Sequence, residues 1–230
     1  MSTVLNLLKK ILKEIEQDNP FGLVLKGGTA LSLYYLNEHR ESEDLDFDVD
    51  KKLITKHEDI NKFFIKILDK LKSKGIIMNY KFGKTGFAST DRYHSKLILT
   101  TYKKIYTKLD LDFIDLPDNL WKKGQLNLYS AERLFISKII TFIQRKEFKD
   151  AYDVYYLIEK IDVTKFTPDT TVKTLNDFIF AIKSENLLDL YKFAFRNADL
   201  KFRNIKENQL NLFAKQLERK IRILINKLSK

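Results

Sequence analysis

Residues 26–49 read KGGTALSLYYLNEHRESEDLDFDV, and this stretch decides the fold. The segment before it, Gly22 to Lys26 (GLVLK), is short and apolar, which is typical of a buried strand. Gly27 and Gly28 then predict a turn into a helix over residues 29–38. Residues 44–49 alternate Asp with Leu, Phe and Val, which predicts a strand with one acidic face and one apolar face.

The turn and the acidic strand each suggest a chemistry. Two glycines let the backbone approach a phosphate closely, and the N–H groups of the helix start could hold its oxygens together with the Thr29 hydroxyl. Lys26 would add positive charge. Asp44 and Asp46, two apart on a strand, would project side by side and suit hard cations such as Mg²⁺, which clamp the attacking and leaving oxygens in phosphoryl transfer.

A third carboxylate is expected from a later strand. The segment KLDLDF at residues 108–113 places Asp110 and Asp112 on one face, and either could join the first pair as a metal ligand or as the base that prepares an acceptor hydroxyl. In a two-metal mechanism the first pair would hold the triphosphate through both ions. An isolated Gly-Gly turn or Asp-x-Asp pair is weak evidence, because most such pairs are solvated strand faces, so the ordered set is the informative observation.

The rest of the chain predicts two parts. Apolar spacing predicts helices over residues 4–15 and 57–74, and extended segments follow at 76–82, 93–101 and 106–114, with Gly83 and Gly86 at the first connection. Helices are then predicted from Ser130 to residue 143, over 149–161 and over most of 175–230. The sequence therefore predicts an α/β (α+β) protein, with a mixed sheet flanked by helices in residues 1–120 and a helical domain in residues 121–230 that completes a shared cleft.

Composition narrows the partners. The formal charge of +11 makes nucleotides and RNA candidate ligands, although Lys-rich surfaces also occur without any ligand. The absence of cysteine excludes disulfides, thiol nucleophiles and Cys-based metal sites. No apolar run approaches a membrane span, and the amphipathic N-terminal segment does not look like a signal peptide, so a cytoplasmic location is expected.

Three segments resemble the AbiEii/AbiGii toxins of the polymerase-β-like nucleotidyltransferase superfamily. Residues 26–49 look like the family's first motif, in which a Gly-Gly-Thr/Ser turn precedes a Ser-Glu-Asp-x-Asp strand. YTKLDLDF (residues 106–113) is similar to its Lys-x-Asp strand, which would make Asp110 the third carboxylate and leave Asp112 as the alternate. YSAERLFISKIITFIQRKEFKDAYDVYYL (residues 129–157) resembles its helical motif, which maps onto Glu132, Lys138, Arg145, Lys149, Asp150, Tyr152 and Asp153.

The resemblance implies an enzyme that uses Mg²⁺ or Mn²⁺ to transfer a nucleoside monophosphate from an NTP to an acceptor, with RNA or tRNA expected, releasing pyrophosphate. The implied metal ligands are Asp44, Asp46 and Asp110, and the implied phosphate-binding residues are Lys26, Gly27, Gly28, Thr29 and Lys138. Lys138 would also offset charge on the leaving pyrophosphate, with Asp150 orienting it or a basic neighbour. The protein would be the toxin of a toxin–antitoxin or phage-defence system, with a cognate antitoxin.

Two other functions remain open. An aminoglycoside-type nucleotidyltransferase would use the same site with a different acceptor pocket, and a nucleotide- or RNA-binding protein would lack catalysis, although the intact acidic set argues against this. The three histidines have no metal-ligand spacing and are expected to be surface or packed residues: His39, His57 and His94. Arg145, Lys149 and Tyr152 would share one side of a helix if that helix is continuous. Basic residues near the C-terminus could bind an RNA acceptor or be solvated: Lys215, Arg219, Lys220, Arg222 and Lys227.

Overall fold

The computed structural model describes residues 3–197 and 205–230, and contacts divide the chain into two compact units. The first unit is Met1–Leu33 with Ser42–Tyr129, and the second is Tyr34–Glu41 with Ser130–Lys230. Residues 198–204 of the helical segment predicted at 175–230 lie outside the described residues. Within the described ranges, no helix is long and apolar enough to cross a membrane.

The first unit is built on one seven-stranded mixed sheet, which confirms the predicted fold class. The strands are β1 (Val24–Lys26), β2 (Leu45–Asp50), β3 (Asn79–Ser89), β4 (Arg92–Thr100), β5 (Lys104–Ile114), β6 (Trp121–Lys123) and β7 (Leu126–Leu128). Their spatial order is β3-β4-β5-β2-β1-β7-β6. β2 lies parallel to β5 and β1 lies parallel to β7, whereas the other neighbours are antiparallel.

Three helices belong to the sheet unit: α1 (Thr3–Gln17), α2 (Gly27–Ala30) and α3 (His57–Ser73). α3 packs on the apolar face of the sheet, where the rings of Phe47 and Phe64 lie 5.8 Å apart. α1 packs beside α3 and buries most of its own apolar residues, from Leu5 to Ile15. Because successive strand residues alternate between faces, the burial of Phe47 places Asp46 and Asp48 on the opposite face.

Three local predictions for this unit were wrong in detail. Gly83 and Gly86 do not connect two strands, because β3 continues through them with a register shift, as glycine permits at a bulge. The helix predicted over residues 29–38 is shorter: α2 passes into a π-helical turn, Leu31–Tyr35, and Asn37 and Glu38 then take left-handed φ angles of 48° and 56°. Asp44 does not lie in β2 but directly precedes it.

The second unit is helical in its described part. Its helices are α4 (Ala131–Arg145), α5 (Phe148–Leu157), α6 (Pro168–Ser184), α7 (Leu187–Asn197) and α8 (Leu210–Leu228). The predicted cap of α4 is confirmed, since the backbone N–H of Arg133 donates to Ser130 Oγ over 3.3 Å. Lys146, at φ 56°, separates α4 from α5, so the continuous helix required to align Arg145 with Lys149 and Tyr152 does not exist.

A buried network of charges holds the second unit together. Asp153 of α5 has no solvent exposure and accepts hydrogen bonds from Arg40 Nε and Nη2 over 2.6 and 2.7 Å. Its other partners are His39 Nε2 at 2.8 Å and Lys138 Nζ at 2.8 Å. Burial alone would raise the pKa of Asp153, but Arg40 and Lys138 hold that pKa well below its ordinary value. The carboxylate is therefore ionised and binds the segment Tyr34–Glu41 to α4 and α5.

His39 is the neutral member of this network. Burial is the main cause that lowers its pKa, and the positive charges of Arg40 and Lys138 lower it further against the opposing effect of Asp153. Its Nε2 must carry the proton to donate to a carboxylate, while Nδ1 is buried without a hydrogen-bond partner. Protonation at Nδ1 would place an additional unpaired positive charge in a buried cluster.

We expect this histidine to make stability fall in acid. The pKa of His39 in the folded protein lies below the ordinary value of 6.5. As the pH falls through 6.5, the same histidine is protonated more readily in the unfolded chain, and this favours unfolding. The melting temperature of the wild type should therefore drop between about pH 7.5 and about pH 5.5. The drop should be smaller in His39→Gln, whose amide N–H can still donate to Asp153. Thermal unfolding followed by circular dichroism measures both, and equal drops would contradict a neutral His39.

Candidate active site

The Gly-Gly-Thr turn holds the loop that leads into β2. Gly27 has φ +72°, a conformation that favours glycine, and a β-carbon there would displace the carboxylate of Asp46. Thr29 is fully buried, and its hydroxyl donates to the Asp44 carbonyl over 2.5 Å and lies 2.9 Å from Ser42 Oγ. The Thr29 hydroxyl, expected to bind phosphate, thus fixes the backbone at Asp44.

Carboxylates from two adjacent strands form the centre of the candidate site. In the parallel pairing of β2 and β5, Asp46 lies opposite Asp110 and Asp48 lies opposite Asp112. Directly opposed residues on neighbouring strands project to the same face. The register therefore collects four carboxylates on one face, and both candidates for the third carboxylate, Asp110 and Asp112, belong to it.

Lys26 neutralises one row of this face. Its ammonium bridges Asp48 of β2 and Asp112 of β5, and the Tyr129 hydroxyl donates to the second oxygen of Asp48. Burial alone would lower the pKa of Lys26, but Asp48 and Asp112 raise it above its ordinary value. Lys26 is thus a counter-charge to these carboxylates, and its contact with phosphate stays a prediction.

Two residues of β4 also contact these carboxylates: Arg92, which no sequence motif indicated, and His94, which was expected to be a surface or packed residue. The register places His94 opposite Asp110 and Arg92 opposite Asp112. Arg92 Nη2 lies 3.1 Å from Asp110 Oδ2 and its Nε lies 3.2 Å from Asp112 Oδ1, while His94 Nδ1 contacts Asp110 Oδ1. Arg92 and His94 lie two residues apart on one strand, so they share a face. This spacing points to the carboxylates only once β4 is known to pair with β5.

The residues present suit a hard divalent cation, although the described residues hold no preformed group of three His, Asp or Glu side chains around one point. Carboxylate oxygens are the ligands that Mg²⁺ prefers, and Asp44 and Asp46 could supply them; the missing side chain of Gly27 makes room for the Asp46 carboxylate. Asp110 differs, because both of its oxygens already contact cationic or donor groups of β4. Metal binding at Asp44, Asp46 and Asp110 stays a prediction.

Lys138 and Asp150 lie in the buried network of the second unit. The Lys138 ammonium is 2.9 Å from Asp150 and 2.8 Å from Asp153, and its side chain is only 9% exposed. Burial would lower the pKa of Lys138, but the two carboxylates raise it, so the group is charged. Asp150 also contacts Arg145 through Nε at 2.7 Å, and so it pairs with two cations at once.

Two other residues of the helical motif, Glu132 and Tyr152, make defined contacts inside the second unit. Glu132 accepts from the Asp162 backbone N–H over 2.8 Å, which ties α4 to the chain after α5. Tyr152 is fully buried, and its ring stacks on His39 with centroids 5.6 Å apart. Both residues are buried, and these contacts lie within the second unit.

Known structures share the fold of this chain. JHP933 from Helicobacter pylori superposes with a TM-score of 0.69 and 22% identity, covering 98% of this chain and 92% of that one. A candidate nucleotidyltransferase from H. pylori gives 0.71 and 22%, covering 100% and 97%. MenT4, a nucleotidyltransferase toxin from Mycobacterium tuberculosis, gives 0.53 and 15%, covering 96% and 82%. No curated protein sequence matches the chain.

These similarities establish the fold, and a family match establishes more. The family described as nucleotidyl transferase AbiEii toxin, type IV toxin–antitoxin system, matches residues 7–228, which is nearly the whole chain. The match includes the Gly-Gly-Thr turn, the acidic strands and the helical motif described above. The chain therefore belongs to the AbiEii nucleotidyl transferase toxin family and is a nucleotidyltransferase.

Proposed function

We propose that the protein transfers a nucleoside monophosphate from an NTP to a hydroxyl group of an RNA, with tRNA as the leading candidate, using Mg²⁺ or Mn²⁺. The observation that carries the proposal is the set of carboxylates on β2 and β5 beside the Gly27–Gly28 turn. A nucleotide triphosphate can approach the backbone closely at such a turn. The family also implies a cognate antitoxin.

Each group has a role in this reaction. Asp44 and Asp46 would hold the cation, which when bound offsets negative charge on the phosphates. Gly27 and Gly28 would face the triphosphate, and Thr29 would keep Asp44 in place through its carbonyl. The bond between the acceptor oxygen and the α-phosphorus forms as the bond from that phosphorus to the pyrophosphate oxygen breaks. The acceptor proton passes to a base, for which Asp110 is the proposed group.

Lys138 and Asp150 are proposed to act by positioning. The ammonium of Lys138 is shared between Asp150 and Asp153 and is nearly buried, so its first role is to keep α4 and α5 in register. Charge compensation of the leaving pyrophosphate would require the ammonium to leave those carboxylates. Removing Lys138 would leave two buried anions short of a counter-charge, at a cost of about 3–5 kcal/mol in stability.

An RNA acceptor is supported by the outer face of α8. Lys215, Arg219 and Arg222 are exposed and recur every three to four residues, so they follow one side of the helix, and Lys227 is exposed in the last turn. The segment from Lys215 to Lys227 is about 18 Å long, comparable with several phosphate spacings of a nucleic-acid strand. Arg222 pairs with Glu218, whereas the structure shows no ion pair for Lys215 or Arg219 within the described ranges.

The proposal predicts that Asp46→Asn abolishes nucleotidyl transfer. Purified protein would be incubated with each α-³²P-labelled NTP, Mg²⁺ or Mn²⁺ and total RNA, and label on RNA counted. We expect a loss of at least about 100-fold, because an amide cannot supply the charge that a cation site needs. The matched control is Asp115→Asn, which alters a 75% exposed aspartate of the same unit and should keep the wild-type rate.

The outcomes separate the alternatives. Label on RNA in the wild type and equal label in Asp46→Asn would contradict the proposed site. Label on an aminoglycoside and none on RNA would favour a small-molecule acceptor. Absence of transfer to any acceptor would favour a binding protein without catalysis.

If the basic residues of α8 bind the RNA acceptor, variants of these residues should be impaired only in the use of RNA. Charge reversal in Lys215→Glu/Arg219→Glu should reduce RNA labelling at least about tenfold at 0.15 M salt, with a weaker dependence on salt, because two phosphate contacts are lost. The control pair Lys62→Glu/Lys66→Glu makes the same charge change at the same spacing on α3. Equal RNA labelling by the two double variants would show that α8 is only a solvated surface.

A further inference from the structure

Arg92 is placed where a substrate residue would be expected, although no sequence motif pointed to it. Its guanidinium lies on the carboxylate face, 3.1 Å from Asp110 and 3.2 Å from Asp112, and interacts electrostatically with Asp46. The side chain is nevertheless 50% exposed. It is thus anchored to the acidic residues on one side and accessible to a ligand on the other.

Charge on the face sets how many cations it can bind. The four carboxylates Asp46, Asp48, Asp110 and Asp112 carry four negative charges, and Lys26 and Arg92 carry two positive charges. This leaves a formal excess of two negative charges among these groups. One divalent cation would offset that excess, so charge balance does not require a second.

The geometry of Asp110 leads to the same conclusion. Its Oδ1 contacts His94 and its Oδ2 contacts Arg92, so both oxygens are engaged by β4. A second metal ion bridging Asp46 and Asp110 would have to displace both contacts. The guanidinium of Arg92 already supplies positive charge at that end of the face.

A guanidinium is also suited to phosphate. It has five N–H donors in a rigid plane, and the two carboxylate contacts of Arg92 involve only Nη2 and Nε. Charge-assisted pairs between Arg and phosphate are among the stronger hydrogen bonds in proteins. A half-exposed guanidinium can therefore keep its carboxylate contacts and still donate to a triphosphate.

We propose that Arg92 is a substrate-binding residue that contacts the triphosphate of the NTP and takes the place of a second metal ion. One divalent cation is then bound for each nucleotide, at Asp44 and Asp46. The inference rests on the proposed function, since it assigns groups within the same nucleotidyl-transfer site. It replaces the two-ion arrangement expected from the acidic motif with one ion and one guanidinium.

The test uses inorganic tripolyphosphate with Mn²⁺, which avoids the unknown base preference. Binding to the full-length wild type, Arg92→Gln and the control Lys122→Gln is measured by isothermal titration calorimetry. Lys122 is an exposed residue of β6, so its variant loses the same charge at the far side of the sheet. We expect Arg92→Gln to bind at least about tenfold more weakly than Lys122→Gln, which should stay within about twofold of the wild type.

Equilibrium dialysis counts the Mn²⁺ ions bound per tripolyphosphate on the wild type, and we expect one. Two bound ions, or equal affinities of Arg92→Gln and Lys122→Gln, would overturn the proposal. If Arg92→Gln does not fold, Arg92→Lys replaces it, with an expected loss of about fivefold because a single ammonium lacks the planar donor set. RNA labelling that depends on Asp46 but not on Arg92 would leave the proposed function intact and reject this inference alone.

Discussion

The sheet unit depends on one electrostatic constraint: carboxylates gathered on one face of two parallel strands must be balanced by positive charge. Like charges on directly opposed residues destabilise a sheet, yet β2 and β5 place Asp46 against Asp110 and Asp48 against Asp112. The flanking strands supply positive charge through Lys26 of β1 and Arg92 of β4. The order of the strands therefore matters as much as the acidic motif itself.

The positive charges of Lys26 and Arg92 only partly balance the carboxylates on this face, and the proposed cation binding depends on that partial balance. A fully neutralised set of carboxylates would be an internal ion-pair network, and an uncompensated one would oppose folding. The proposed cation site uses the carboxylates of Asp44 and Asp46, and Gly27, which has no side chain, makes room for the Asp46 carboxylate. In the helical unit the same principle has a different result, because Asp150 and Asp153 are fully buried and paired with Lys138, Arg40 and Arg145, which gives a stable network.

The sequence predicted the parts of this protein that follow local rules. Apolar spacing located α1 and α3, Ser130 identified the start of α4, and the Asp-x-Asp segments identified the chemistry. It could not predict which strands are neighbours, because pairing of β2 with β5 and of β1 with β7 depends on contacts distant in the chain. The roles of Lys26 and Arg92 as counter-charges follow from that order of strands. The short strands β6 and β7 were missed since three residues give too little periodicity to detect.

The most direct test of the account is to locate the cation and the nucleotide together. Crystals grown with Mn²⁺ and each of the four α,β-methylene NTPs would be measured at the Mn absorption edge, and the anomalous difference map would give the ion positions. The account predicts a single Mn²⁺ at the carboxylates of Asp44 and Asp46, with the triphosphate against Gly27 and Gly28 and within hydrogen-bonding reach of Arg92. Nucleotide and metal bound away from the β2–β5 face would contradict it.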